Sequence, residues 1–343
     1  MNQKYENPVP LWLINLTSFC VTTTLLMGCF IFYATLSIHA AQTRAAQYTT
    51  ELPILSTLKD NPFDKVALSA KSAIVYNAKT GEVVYGNQEE VQLPLASLTK
   101  LMTALVAAET LPPFTRIAIV PLSKDADPRL RQGEQWSLED LIAYTLISSS
   151  NSGAESIASV AGAFLEGEGT IKYASTSRQT FVDAMNQSAL QLGLAQTYYL
   201  NSTGLDTNGN LGGAYGSAKD TAILFSYLLE QHPDLLTTTT LVEETFRDSD
   251  GRAVLGKNTN VVLSQIPGIL GSKTGLTDLA GGNLVIAFDA SFGEPFVVAV
   301  LGSTEESRFT DIQQLVNATI EYLGAPLRLN ALSDCMPESV CAL

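Results

Sequence analysis

Pro94-Leu95-Ala96-Ser97-Leu98-Thr99-Lys100 runs directly into the apolar segment Leu101 to Ala108. If a helix starts near Ser97, a spacing of three puts a hydroxyl and an amine on one face, one turn apart and within reach of each other. A serine hydroxyl is a poor nucleophile until a base takes its proton, and an amine whose charged form is disfavoured by burial or by a second cation can be that base. The N-terminus of the helix adds backbone N–H groups that favour developing negative charge. The pattern is weak by itself, because about one chance S-x-x-K arises in a chain of this size, and Ser56-Thr57-Leu58-Lys59 is such a decoy. What singles out Ser97 and Lys100 lies elsewhere in the chain.

The chain has 343 residues, 46% of them hydrophobic and 16% charged, with a net charge of -14. It can bury a sizeable core, and its charge argues against nucleic acid and against a basic membrane-surface patch, since both need clustered Lys and Arg. Val9 to His39 contains no Asp, Glu, Lys or Arg, and Leu11 to Ile38 is rich in Leu, Ile, Phe, Val and Thr. The run is long enough to cross a bilayer with tilt, so residues 1–40 read as an N-terminal transmembrane helix of the signal-anchor kind. Lys4, Glu6 and Arg44 leave its orientation open, and small residues around Ala40 and Ala41 leave signal cleavage as an alternative. Residues 41–70 read as a polar tether.

Cysteine and histidine narrow the chemistry. Cys20 and Cys29 sit in the apolar segment as small hydrophobes; Cys335 and Cys341 could close a small disulfide loop outside the cytoplasm. No spacing resembles a zinc site, and no metal or organic cofactor is expected. The chain has two histidines, His39 in the apolar segment and His232 near a helix end. A Ser-His-Asp hydrolase or a zinc peptidase needs imidazole at its centre, so a lysine-based mechanism gains weight.

Downstream, Ala73 to Tyr76 and Glu82 to Tyr85 flank a turn ending at Gly81, a hairpin signal. Ser137 heads a helix through Leu141 to Ile147 that stops at Ser148-Ser149-Ser150-Asn151-Ser152-Gly153, and helical periodicity resumes from about Ala154. Further helices are expected at Phe181–Leu192 and Ala218–Leu229, followed by strands at Gly271–Gly275, Asn283–Phe288 and Pro295–Leu301, and a last helix over Thr310–Leu323. Strands at both ends with helices between predict an α/β (α+β) domain over 71–324, an antiparallel sheet built from both chain termini beside a helical cluster. Residues 325–343 form a short tail.

Three polar motifs thus occur in order: Ser97-x-x-Lys100, Ser149-Ser150-Asn151 and Lys273-Thr274-Gly275. Ser and Asn in an interhelical loop also serve local backbone hydrogen bonding, but the ordered set, at a helix start, a loop and a strand, is specific. Here the chain resembles the penicillin-recognising serine enzymes, and among them the low-molecular-mass D-alanyl-D-alanine carboxypeptidases, over roughly Lys71 to Leu323. Lys273-Thr274-Gly275-Leu276-Thr277-Asp278-Leu279-Ala280-Gly281-Gly282-Asn283-Leu284 looks like that family's K-T-G-x-T-x-x-A-G-x-N-L strand pair, and Asn258-Thr259-Asn260 and Asn201-x-x-Gly204-Leu205 are similar to other landmarks.

The resemblance implies a β-lactamase/transpeptidase-like fold and a peptidoglycan stem peptide ending in D-Ala-D-Ala as substrate, with β-lactam antibiotics as inhibitors. It implies Ser97 as nucleophile, Lys100 as base, Ser149 as proton carrier to the leaving amine, and Asn151 as the holder of the substrate amide and Lys100. Lys273 would supply positive potential, Thr274 would bind the terminal carboxylate, and Gly275 would let an extended substrate lie against the strand edge. The backbone N–H groups of Ser97 and Leu276 would form the oxyanion hole, although Leu276 fills a place often held by histidine. Arg308 stands where the family has an arginine near the carboxylate subsite; a surface arginine at a helix start fits it equally. The C-terminal β-rich domain frequent in the family has no counterpart in this sequence, so anchoring is expected from the N-terminus, with the catalytic domain outside the cytoplasm at the bacterial cell membrane.

Rival readings remain. A class A β-lactamase needs a Glu that activates the deacylating water, and Glu166 and Glu168 lack the expected E-x-x-x-N pattern. A D,D-endopeptidase acting on cross-links would use the same site. A catalytically idle wall-binding scaffold would not need a base beside the serine.

Overall fold

The computed structural model describes residues 61–120, 125–167, 174–290 and 293–324. The apolar run Leu11–Ile38, most of the expected tether, Glu168 and the Cys335/Cys341 pair lie outside the described residues. Among the described residues no helix is long and apolar enough to cross a membrane.

Five strands form one antiparallel sheet: β1 (Ser72–Asn77), β2 (Val83–Asn87), β3 (Ile269–Thr277), β4 (Gly281–Asp289) and β5 (Pro295–Ser303), in the order β3-β4-β5-β1-β2. The first and last parts of the chain therefore share one sheet, as expected. The turn from β1 to β2 is set by Asn77, whose side-chain oxygen accepts from the Lys79 and Thr80 N–H groups at 2.9 and 3.0 Å, and by Gly81 at φ +76°. The runs Leu284–Phe288 and Phe296–Leu301 are apolar without alternation because both faces of the sheet are covered. Leu284, Ile286, Phe288, Val298 and Val300 pack in one cluster; Val285, Ala287, Val297, Ala299 and Leu301 pack in the other.

The helical layer comprises α1 (Thr99–Thr110), α2 (Leu138–Ser148), α3 (Asn151–Leu165), α4 (Ala174–Gln191) and α5 (Ala218–Gln231); α6 (Ser307–Gly324) covers the opposite face. Several boundaries move from the sequence expectation. A 3-10 turn over Ala96–Leu98 precedes α1, so Ser97 lies in the turn and not in the helix proper. Helix α3 begins at Asn151, three residues early, because the Ser150 hydroxyl caps the Gly153 N–H at 3.2 Å. Helix α6 begins at Ser307, which draws Arg308 into its first turn.

A hairpin of Glu243–Arg247 with Ala253–Lys257 was not expected. Phe246 is the buried residue of the first strand and Val254 and Gly256 those of the second, while Ala253 and Leu255 are apolar yet exposed, so hydrophobicity gave little signal.

The expected tether does not extend to residue 70, because residues 61–70 pack on the domain. Phe63 is buried, stacks on Tyr85 with ring centroids 5.1 Å apart and touches Tyr322. Asp311 on α6 accepts from the Ser69 and Ala70 N–H groups, each at 3.0 Å. The compact unit starts at Asn61, because the short apolar islands of this stretch are packing residues.

Candidate active site

Ser97 sits where three segments meet. Leu93–Pro94 pairs antiparallel with Tyr215–Gly216, and the Leu95 N–H donates to Ala214 O at 3.0 Å, which fixes the approach to the turn. Ala96 then adopts φ +48°, a left-handed conformation that an L-residue takes at a cost. The Thr99 hydroxyl holds Ala96 O at 2.7 Å. On the other side Asn283 of β4 donates from Nδ2 to Pro94 O at 3.0 Å and accepts the Gly302 N–H at 2.8 Å, tying the nucleophile segment to the sheet.

Lys100 Nζ lies 2.7 Å from Ser97 Oγ, 2.8 Å from Asn151 Oδ1 and 2.7 Å from Thr203 O. A neutral amine has two protons and one lone pair. Donation to Asn151 and Thr203 leaves the lone pair facing the Ser97 hydroxyl, the arrangement a base requires. Lys100 is completely buried, and desolvation lowers its pKa from 10.5 to about 7, opposed only by the negative charge of Glu155. The loop that supplies Thr203 O is shaped by Asn201, whose Oδ1 accepts from the Thr203 and Gly204 N–H groups at 3.1 and 2.7 Å.

The second motif folds by helix capping. Ser149 closes α2 in the left-handed region at φ +59°, and Asn151 opens α3 two residues later. That sharp junction turns the Ser149 hydroxyl toward Lys273, whose Nζ donates to it at 2.8 Å and to Thr274 O at 2.8 Å. Lys273 is also buried, and burial together with the nearby charges of Lys100 and Arg308 holds its pKa well below the ordinary lysine value.

Lys273, Thr274 and Gly275 lie on the edge strand β3, with Lys273 opposite Val285 and Gly275 opposite Asn283. The Thr274 hydroxyl is 2.6 Å from that of Thr259. A side chain at Gly275 would meet Leu95 O at 2.9 Å and the Ala96 Cβ at 3.2 Å, so this glycine admits the turn that carries Ser97. This packing reason stands beside the expected room for substrate. Arg308 is 6% exposed and donates from Nη1 to Gly275 O at 2.8 Å; it is not a surface residue. Leu276 is 42% exposed at the mouth of a cleft of about 570 Å³, also bounded by Asp125, Asn151, Leu205 and Asp206.

The residues of the three motifs, with Leu276 and Arg308, therefore come together, through direct contacts or along β3. Sequence reasoning assigned no role to Thr203, Thr259, Asn283 or Glu155; the quoted N-x-x-G and N-T-N patterns held the signal for the first two. Glu166, the rival general base, ends α3, which is 15 residues long, ~22 Å from Asn151 at 1.5 Å per residue. Its carboxylate is engaged by the Ser177 and Thr180 hydroxyls at 3.1 and 2.8 Å. His232 pairs with Glu109 at 3.5 Å and takes no part around Ser97.

The chain is similar to known proteins over most of the described residues. The model of the peptidase S11 family, D-alanyl-D-alanine carboxypeptidase, matches residues 58–304. D-alanyl-D-alanine carboxypeptidase DacF of Bacillus subtilis is 30% identical over 274 residues, covering 77% of this chain and 65% of that protein. A D-alanyl-D-alanine endopeptidase of Pseudomonas aeruginosa is 31% identical over 226 residues, covering 64% and 67%. The chain thus spans about two thirds of the length of these relatives. Penicillin-binding protein D2 of Listeria monocytogenes, solved in its ampicillin-bound form, shares 31% identity with a TM-score of 0.62, covering 73% of this chain and 97% of that one. By motif, fold and family match, the chain belongs to the D-alanyl-D-alanine carboxypeptidase family.

Proposed function

We propose that this protein is a serine-type D-Ala-D-Ala carboxypeptidase that removes the terminal D-alanine from peptidoglycan stem peptides. One observation carries the reading: a buried lysine that loses its proton near neutrality stands 2.7 Å from the hydroxyl of Ser97. Ser97 Oγ attacks the carbonyl between the two D-alanines while its proton passes to Lys100 Nζ. The backbone N–H groups of Ser97 and Leu276 take the oxyanion. Collapse breaks the C–N bond, and the proton taken up by Lys100 passes through the Ser149 hydroxyl to the departing amine, which leaves Lys100 neutral again. Water then attacks the acyl ester while Lys100 takes its proton, and the same proton returns to Ser97 Oγ as the C–O bond breaks and the acid departs.

Asn151 orients Lys100 and the substrate amide. Lys273 and Thr274 attract the terminal carboxylate, and Arg308 stiffens the edge strand through Gly275 O. β-Lactams acylate the same serine in this reading, which the ampicillin- and cefotaxime-bound forms of the Listeria relative support. The charge-free run Val9–His39 supports an N-terminal membrane helix with the catalytic domain outside the cytoplasm. Cleavage of cross-links is the second reading, favoured by the likeness to the Pseudomonas endopeptidase.

The test is release of free D-alanine from an N-acylated peptide ending in D-Ala-D-Ala, run beside a cross-linked dimer. We expect faster turnover of the uncross-linked peptide; preference for the dimer would establish the endopeptidase. The rate should climb about tenfold per pH unit up to about pH 7, where Lys100 becomes neutral, and flatten above it. The sign follows from the base acting only after losing its proton.

A further inference from the structure

Asn151 and Glu155 are one turn apart on α3, so their side chains share a face of that helix. Asn151 reaches Lys100 Nζ directly at 2.8 Å. Glu155 lies one turn further along the helix, its carboxylate largely buried near the Ser202 side chain. Ser202 is the neighbour of Thr203, whose carbonyl accepts from the same Nζ at 2.7 Å. Arg178 of α4 approaches from the far side, with Nε 3.6 Å from Glu155 Oε2. Arg178 thus pairs with Glu155, and Glu155 stands one turn along α3 from the Asn151 side chain that holds Lys100 beside Ser97.

The charged groups facing Lys100 are Glu155 from α3 and, across the site, Lys273 from β3. Burial pushes the Glu155 carboxyl toward its neutral form, and Arg178, the Ser202 hydroxyl and Lys100 draw it back toward the ionised one. A fully buried amine that also faces Lys273 would lose its proton too readily to be a strong base. A carboxylate behind it opposes that tendency.

We propose that Glu155 is a positioning residue for the reaction: its carboxylate, paired with Arg178, sets the proton affinity of Lys100 and so the pH at which Ser97 becomes active. Removal of the charge lowers the proton affinity of Lys100. The acid limb then moves to lower pH, and the base on the plateau is weaker. This inference rests on the reading of Lys100 as base.

The test is the pH dependence of Ser97 acylation by a penicillin in the full chain, for the parent, Glu155→Gln and Glu155→Asp. The glutamine variant should shift the acid limb down by about one unit, as expected for one charge in a partly buried site. It should therefore acylate several-fold faster than the parent at a pH below the parental midpoint. The aspartate variant should keep the parental limb. Should the glutamine variant fail to fold, Glu155→Met, similar in volume and uncharged, reads the same shift. A rate lowered by one constant factor at every pH would mean a purely structural role and would overturn the proposal. If the parent itself forms no adduct, the Ser97–Lys100 reading falls and this inference falls with it; an adduct whose limb ignores Glu155 sinks the inference alone.

Discussion

Lys100→Gln is expected to lower the rate of Ser97 acylation by about 10³-fold, the scale of a lost general base. The glutamine amide can still donate to Asn151 Oδ1 and Thr203 O, the two acceptors that hold the lysine amine. It has no lone pair basic enough to take the Ser97 proton. The loss should therefore appear in the rate and not in the structure. Lys100 is fully buried, and its charged form is already disfavoured at neutral pH, so its removal relieves a desolvation cost and the melting temperature should not collapse. Raising the pH should not restore activity, which distinguishes a missing base from a merely protonated one. A variant that acylates within tenfold of the parent would show that another group accepts the proton; Lys273, linked to Ser149 at 2.8 Å, would be the first to consider.

Gly204→Ala should damage both stability and catalysis. Gly204 has φ +79°, and a Cβ built on it would lie 1.8 Å from Ala96 O and 2.5 Å from Thr99 Oγ1. The obstruction is backbone, so no side-chain rotation relieves it. Shifting the chain should cost about 3 kcal/mol, combining a disfavoured conformation with overpacking. The displaced groups also matter to the chemistry: Ala96 precedes the nucleophile, and Thr203, one residue before Gly204, supplies the carbonyl on Lys100 Nζ. We expect a clear drop in melting temperature together with loss of penicillin acylation at temperatures where the protein is still folded. Gly324→Ala, at a helix end with open space around it, serves as the control and should change neither.

Much of this site was legible in the sequence because its side-chain chemistry is local or motif-borne. A spacing of three set the hydroxyl and the amine of Ser97 and Lys100 together even though the helix proper starts at Thr99. The apolar runs of β4 and β5 announced a buried sheet. The pairing of β1 with β5, by contrast, spans more than half of the chain, and only the general pattern of strands at both ends suggested it. Backbone contributions stayed hidden, since every residue has a carbonyl: nothing in Thr203 as a residue type says that its oxygen binds a catalytic amine. Gly275 was read as room for substrate, and its part in making room for the Leu95–Ala96 turn was not visible in the sequence. Arg308 needed the structure most, because one turn more of α6 decides between a surface cation and a buried one. Phe63 and Asp311, which fix the start of the domain, are far apart in sequence and carry no motif.

The most direct test of the whole account is intact-mass analysis of the protein after incubation with penicillin, followed over time and compared with Ser97→Ala. A single adduct of one penicillin mass that persists and is absent from the alanine variant is the predicted result, since Glu166 is too far from Asn151 to activate a deacylating water. Rapid return to the unmodified mass with hydrolysed drug would contradict the carboxypeptidase reading in favour of a β-lactamase, and an adduct that survives Ser97→Ala would contradict the assignment of the nucleophile itself.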